Sequence, residues 1–268
     1  MKKVSLFLST LLVTSIFVVV NASQAEDSFA EETFTHADEA VAAQSSGDVG
    51  AQGSEEVTAA SGSNRFVVWY DSTPGNDDIL FKRSTDAGAT WKATVNLSTN
   101  PGSSKDPQIA VSGSNVYVVW EQHNSVANVD DTFFRRSTDN GATWGSKVKI
   151  SANSIDTDNV NLIQVAASGS SVYIVWVDAP APFEILIRRS TDGGATWKPV
   201  VNLSSNAGSS SSPRIAVSAS NVYVVWSDAT PGNYDIFLKR STDNGATWKP
   251  TVNLSNNAGN SFSTQIGV

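Results

Sequence analysis

Apolar and polar positions along residues 57–268 repeat one design four times. The second unit shows it: PQIAVSGS from Pro107, NVYVVW to Trp120, DTFFRRS from Asp131, and KVKIS from Lys147 to Ser151. Short β-rich runs parted by Gly, Ser, Asn and Asp clusters predict a four-stranded antiparallel meander. The other units keep the order and end in VNLS at Val95, Val201 and Val252. The second run, found as RFVVWY around Trp69, NVYVVW to Trp120, SVYIVW to Trp176 and NVYVVW to Trp226, does not alternate apolar with polar. One of its faces carries Val116, Val118 and Trp120 and the other Tyr117 and Val119, so both faces of the sheet need cover. No segment reads as a covering helix, which leaves the neighbouring copies. The expected fold is all-β: a β-propeller of four-stranded antiparallel blades, four complete and a fifth begun at TQIGV from Thr264. A linear stack would expose two apolar end faces without capping units.

Between the third and fourth runs lies STDxGATW, at Ser84, Ser137, Ser190 and Ser241, with intervals of 53, 53 and 51 residues. Such spacing marks an array of small sheets. Asp86, Asp139, Asp192 and Asp243 are placed to accept backbone N–H groups two or three residues on, as turn aspartates do. Gly88, Gly141, Gly194 and Gly245 fall where the chain needs positive φ. Trp91, Trp144, Trp197 and Trp248 should pack on their own blade and its neighbour, each worth about 3–5 kcal/mol on truncation to Ala. One carboxylate per copy is too few for a calcium loop, so the turn is structural and no metal is expected.

Charge changes the picture only when divided along the chain. Residues 26–56 carry nine acidic and no Lys or Arg side chains. That stretch reads as a solvated spacer, and residues 57–268 as the propeller. Of the 26 acidic residues, 17 remain in the repeats against 16 basic ones, with no basic stripe for a nucleic-acid backbone to follow. Lys2, Lys3, the uncharged run from Val4 to Val20, and the small residues Ser23 and Ala25 read as a secretion signal at 1–25; kept uncleaved, it would be a membrane anchor. The absence of cysteine excludes disulfides and thiolate metal sites, and no cofactor is implied.

S-T-D-x-G-x-T-W resembles the Asp-box, or BNR repeat, of sialidases and related propellers, over residues 57–268. The resemblance is specific for fold and far less so for activity, because Asp-boxes also occur in other glycosidases, sorting receptors and assembly factors. In sialidases it implies three arginines on the substrate carboxylate, a tyrosine nucleophile with a glutamate, an acid aspartate, and Asp-boxes on the face remote from the site. Such groups should be singular among the blades. Of eight arginines, Arg83, Arg136, Arg189, Arg240, Arg135 and Arg188 recur, leaving Arg65 and Arg214. Tyr117, Tyr173 and Tyr223 recur too, and the repeats hold two glutamates, Glu121 and Glu184. No catalytic set assembles.

The functional surface is then expected on the opposite face, where blades two and three depart from the Pro-Gly turn shared by blades one and four. That selects Arg214, Glu121, His123, Asp130, Asp156, Asp158, Lys105, Asp106 and Tyr234 as candidate binding residues, a mixture suited to neutral sugar hydroxyls. The expected partner is a glycan or an extracellular protein, and a sialidase-type hydrolase is the alternative. NLS at Asn96, Asn202 and Asn253 matches the glycosylation sequon, but its recurrence points first to a role in the blade. The terminal residues could close a four-bladed ring by pairing into blade one. The other possibility, which the usual blade number favours, is an arc of a longer propeller that associates through its exposed faces.

Overall fold

A computed structural model describes residues 44–45, 56–73, 75–124, 129–151, 163–178 and 181–268. The expected signal segment, and all of the expected acidic spacer but Gln44, Ser45 and Glu56, lie outside the described residues. The strands are β1 (Gln44–Ser45); β2 (Val57–Ser61), β3 (Asn64–Asp71), β4 (Asp78–Ser84) and β5 (Val95–Asn96); β6 (Ser104–Ser112), β7 (Asn115–Asn124), β8 (Val129–Ser137) and β9 (Val148–Lys149); β10 (Gln164–Ser168), β11 (Ser171–Asp178), β12 (Glu184–Ser190) and β13 (Val201–Asn202); β14 (Ser210–Ser218), β15 (Asn221–Asp228), β16 (Asp235–Ser241) and β17 (Val252–Asn253). Each group from β2 onward is one antiparallel sheet in chain order, with β1 added to the free edge of β2. First strands of successive blades lie against one another, as around a propeller axis. Among the described residues no helix is long and apolar enough to cross a membrane.

The doubly apolar second strand does what its pattern requires. Val116, Val118 and Trp120 pack with Val57, Phe66, Val68 and Phe81 of blade 1. Tyr117 and Val119, on the reverse face, pack with Val165, Ile174 and Trp176 of blade 3. Blade 3 meets blade 4 in the same way, Tyr173 and Val175 against Val224 and Trp226. Each interface is therefore a dry core made from two half-cores.

The ends of this array differ from its interior. Trp144 sits edge-on to Phe81 of the preceding blade at 4.9 Å, and Trp197 edge-on to Phe134 at 5.0 Å. Among the described residues Trp91 has no such neighbour and is 42% exposed, which corrects the expectation that all four tryptophans bridge two blades. Nor do residues 264–268 pair into blade 1: Thr264 donates its hydroxyl to the Ser212 carbonyl of blade 4 at 3.0 Å. The four blades form an open arc.

The box turn is built differently from the expected N–H pattern. Ser84 donates to Asp86 Oδ1 (2.6 Å), while its own oxygen accepts the N–H of Gly88 (2.9 Å). Asp86 accepts the Thr90 N–H (2.8 Å) and hydroxyl (2.6 Å), four residues on rather than two or three. Serine, not aspartate, reaches the near amides because its shorter side chain lies inside the turn. The pattern repeats at Asp139, Asp192 and Asp243. Gly88, Gly141, Gly194 and Gly245 have φ between 71° and 98°, as required.

These bonds favour the ionised carboxylate. Donation from Ser84 and Thr90 lowers Asp86 to about 2, and Thr143 and Ser137 hold Asp139 lower still. A depressed carboxyl contributes stability that is complete above its unfolded value near ~3.9 and lost as pH falls toward its folded value. The thermal midpoint should therefore hold down to about pH 4 and fall steeply below it. A midpoint already declining between neutrality and pH 5 would contradict this account.

Candidate functional site

The recurring basic residues are blade-to-blade pins, more specific than turn or edge residues. Arg135 reaches back to the Leu97 carbonyl (2.9 Å), Arg188 to that of Ile150 (2.8 Å) and Lys239 to that of Leu203 (2.8 Å). In the forward direction Arg83 donates to the Asn140 carbonyl (3.4 Å), Arg136 to that of Gly193 (2.8 Å) and Arg189 to that of Asn244 (3.0 Å). Arg65 turns onto the carbonyls of Gly62 and Asn64, in a hairpin whose Ser63 carbonyl accepts the Ala87 N–H of the box. Arg214 sits in β14 opposite Val225 and contacts the Pro213 carbonyl. The structure does not bring these two together, and no trio of arginines converges among the described residues. Burial pushes the Tyr117 and Tyr173 phenols up, away from what a nucleophile needs.

The sequon residues close blades 1, 3 and 4. Asp78 is buried and accepts from Asn96 (2.8 Å) and Ser98 (2.5 Å); Asp235 accepts from Asn253 (2.7 Å) and Ser255 (2.9 Å). Glu184 takes the Ser204 hydroxyl in blade 3. Asn-Leu-Ser is thus a clasp between the third and fourth strands.

Opposite the boxes, blade 2 stands out. Strands β7 and β8 run ten and nine residues, against eight and seven for β3 and β4, because the segment after Glu121 continues the ladder instead of turning. The extension pairs His123 with Asp130 in register, and His123 Nδ1 lies 2.9 Å from Asp130 Oδ1. Lys105 pairs with Glu121 across β6 and β7, which places their side chains side by side. Lys105 also reaches Asp77 of blade 1 (3.4 Å), whose carboxylate accepts the Ser103 hydroxyl (2.8 Å). The His123 N–H donates to the Ser103 carbonyl at 2.8 Å and closes the circuit. Asp106 follows at φ 52°, inside the bulge between Lys105 and Gln108.

Five predicted residues, Lys105, Asp106, Glu121, His123 and Asp130, therefore lie together at one end of blade 2. Arg214 and Tyr234 belong to blade 4, where the Tyr234 ring lies tilted against Phe262 at 5.1 Å, and Asp156 and Asp158 lie outside the described residues. Asp77 and Ser103 were missed. Asp77 shares its repeat position with Asp130 and Tyr234, so comparison position by position would have found it. With one lysine among the four carboxylates of Asp77, Asp106, Glu121 and Asp130, the cluster is no clamp for an anionic ligand. It is a polar rim of half-buried donors and acceptors around the exposed Lys105. Among the described residues no group of three or more His, Asp and Glu could hold a metal ion.

Comparison with known proteins agrees with this architecture. The BNR repeat-like domain family matches residues 16–264. No curated protein matches the chain. Among solved structures, the Penicillium chrysogenum α-L-arabinanase complexed with arabinobiose superposes with a TM-score of 0.52 at 17% identity, covering 71% of this chain and 63% of that one. The NanB sialidase of Streptococcus pneumoniae gives 0.44 at 10% identity, covering 72% and 50%. A Trypanosoma rangeli sialidase mutant displaying trans-sialidase activity gives 0.49 at 18% identity, covering 72% and 36%. The chain spans less than two thirds of each of these chains. The arabinanase carries the likeness, and at that identity it is one of fold.

Proposed function

Since the chain belongs to the BNR repeat-like domain family, we propose that it is an exported glycan-binding propeller whose ligand sits on the blade 1–blade 2 end opposite the boxes. The observation that carries this reading is the cluster of Asp77, Ser103, Lys105, Glu121, His123 and Asp130, which sets charged and neutral hydrogen-bonding groups on one rim. Hydrogen bonds from sugar hydroxyls to such groups are worth more than neutral ones, about 1.5–3 kcal/mol each. Arg65 turns onto its own hairpin and Arg214 onto the Pro213 carbonyl, so no arginine clamp for a sialoside carboxylate assembles among the described residues, which favours neutral sugars. Export follows from the sequence of residues 1–25.

A second reading has its own support. The arabinanase whose fold this chain shares holds arabinobiose, and hydrolysis of arabinosides or sialosides is the corresponding enzymatic alternative. Glycan-array binding separates the two. The expected result is selective retention of neutral sugars, weakened about tenfold or more by His123→Ala or Asp130→Ala. Turnover of a fluorogenic arabinoside or sialoside would establish the enzyme instead, and uniformly flat binding would leave a structural array.

A further inference from the structure

At the end opposite its box, each blade has one position that the chain fills with different chemistry. The residue before the clasp acid is Asp77, Asp130, Phe183 and Tyr234 in the four blades. In the first, third and fourth its carbonyl accepts the N–H of the serine that opens the next unit: Ser104 at 2.6 Å, Ser210 at 2.8 Å and Ser261 at 2.6 Å. The residue after that serine is Lys105, Ser211 or Phe262. At the first joint this arrangement yields the ion pair of Asp77 with Lys105. After blade 4 it yields two aromatic rings, Tyr234 and Phe262, with centroids 5.1 Å apart and planes tilted by 43°.

Phe262 is 58% exposed, and that openness belongs to the position. Lys105, its counterpart, keeps 53% of its side chain exposed with the other strands of blade 2 in place behind it. Residues 261–264 also hold the backbone of a completed joint: Ser263 has φ 63°, where Asp106 has 52° and Ser212 has 55°.

The polar groups bordering the rings are neutral. Asn260 is exposed and accepts the Tyr234 N–H on Oδ1 (2.9 Å), which leaves its Nδ2 to donate elsewhere. Asn257 donates to the Ser261 hydroxyl (3.2 Å), and Asn233 to the carbonyls of Asn257 (3.1 Å) and Gly259 (2.7 Å). Among the described residues no lysine or arginine takes part in this network. An apolar patch two rings wide, bordered by amides and hydroxyls, complements a sugar ring, which shows C–H groups on a face and hydroxyls around its edge. A stable protein partner needs far more area than two rings supply.

We propose that Tyr234 and Phe262 form a stacking subsite for a neutral sugar ring. The inference rests on the glycan-binding reading and adds to it how the ligand's apolar face is held, since the cluster around His123 addresses hydroxyls alone.

The test is titration of the full chain with soluble neutral oligosaccharides of hexoses and pentoses, comparing the unmodified protein with Phe262→Ser, Tyr234→Asp, Phe262→Tyr and His123→Ala. The repeat already places serine and aspartate at the first two positions, as Ser211 and Asp77, so both variants should keep the thermal midpoint of the unmodified chain. Phe262→Ser and Tyr234→Asp are each expected to weaken binding about tenfold or more, while Phe262→Tyr retains it. Binding unchanged by Phe262→Ser and Tyr234→Asp but weakened by His123→Ala would overturn the stacking subsite and leave the glycan reading standing. Weaker binding that comes only with a lowered midpoint would assign the rings to packing and overturn it as well. An unmodified chain that binds none of these sugars would sink both.

Discussion

Gly141→Ala is expected to lower stability by about 2–5 kcal/mol, whereas Gly88→Ala, the same change in the same turn, costs no more than about 1–2 kcal/mol. Both positions have positive φ, 75° and 98°, so the backbone strain is common to them. The difference is external. The new methyl at 141 meets Phe81 Cζ at 2.6 Å, and Phe81 is buried between blades and edge-on to Trp144, so it has nowhere to move. At 88 the methyl enters open space. Gly194 should follow Gly141 and Gly245 should fall between, since its nearest neighbours lie at 3.3 Å. The tryptophans should rank alike: Trp144→Ala loses about 3–5 kcal/mol, and the exposed Trp91 well under that. Urea unfolding of the four glycine variants decides the matter. Equal losses at all four would mean that the turn alone, and not its seat in the neighbouring blade, sets the cost.

Asp228→Ala should be comparably severe, at about 3–5 kcal/mol, because it removes a fully buried carboxylate from four donors. Asn206 (2.6 Å), Ser210 (2.8 Å) and the Trp226 indole (3.0 Å) converge on Oδ2, while the Thr230 N–H (2.8 Å) binds Oδ1. Burial pushes this carboxyl up, but the bonds from Thr230, Trp226 and Asn206 together outweigh it and hold it below the usual range. Its contribution is therefore present at neutral pH and fades on acidification, the same sign as for the boxes. Asp71 occupies the equivalent place in blade 1, is only partly buried, and bonds the Thr73 N–H at 2.6 Å. Asp71→Ala should cost about 1 kcal/mol, the ordinary worth of one turn bond. Thermal unfolding of the pair reads the contrast, and near-equal midpoints would show that convergence of donors adds nothing.

What could be read from sequence was whatever the repeat makes redundant. The strand order, the doubly covered second strand and the positive-φ glycines follow from patterns written four times, and all are found. The box chemistry was half legible: aspartate and glycine announce a turn, but which amide each oxygen reaches depends on side-chain length inside it. Lys82 and Arg135 look interchangeable in the repeat, yet among the described residues only Arg135 has a preceding blade to pin, because position in the array is a property of the whole molecule. The cluster on blade 2 was found through its departure from the repeat. Asp77 escaped because its loop looks like that of blade 4, and its partners Ser103 and Lys105 come from the following blade.

The pins address main-chain carbonyls, not side chains, at every joint where they are formed. The pins themselves therefore survive side-chain changes at the carbonyls they reach, provided the neighbouring backbone passes the same points and its packing face stays apolar. That makes the joint indifferent to lineage: a blade copied from elsewhere in the gene, or swapped in by an engineer, brings with it everything the docking guanidinium requires.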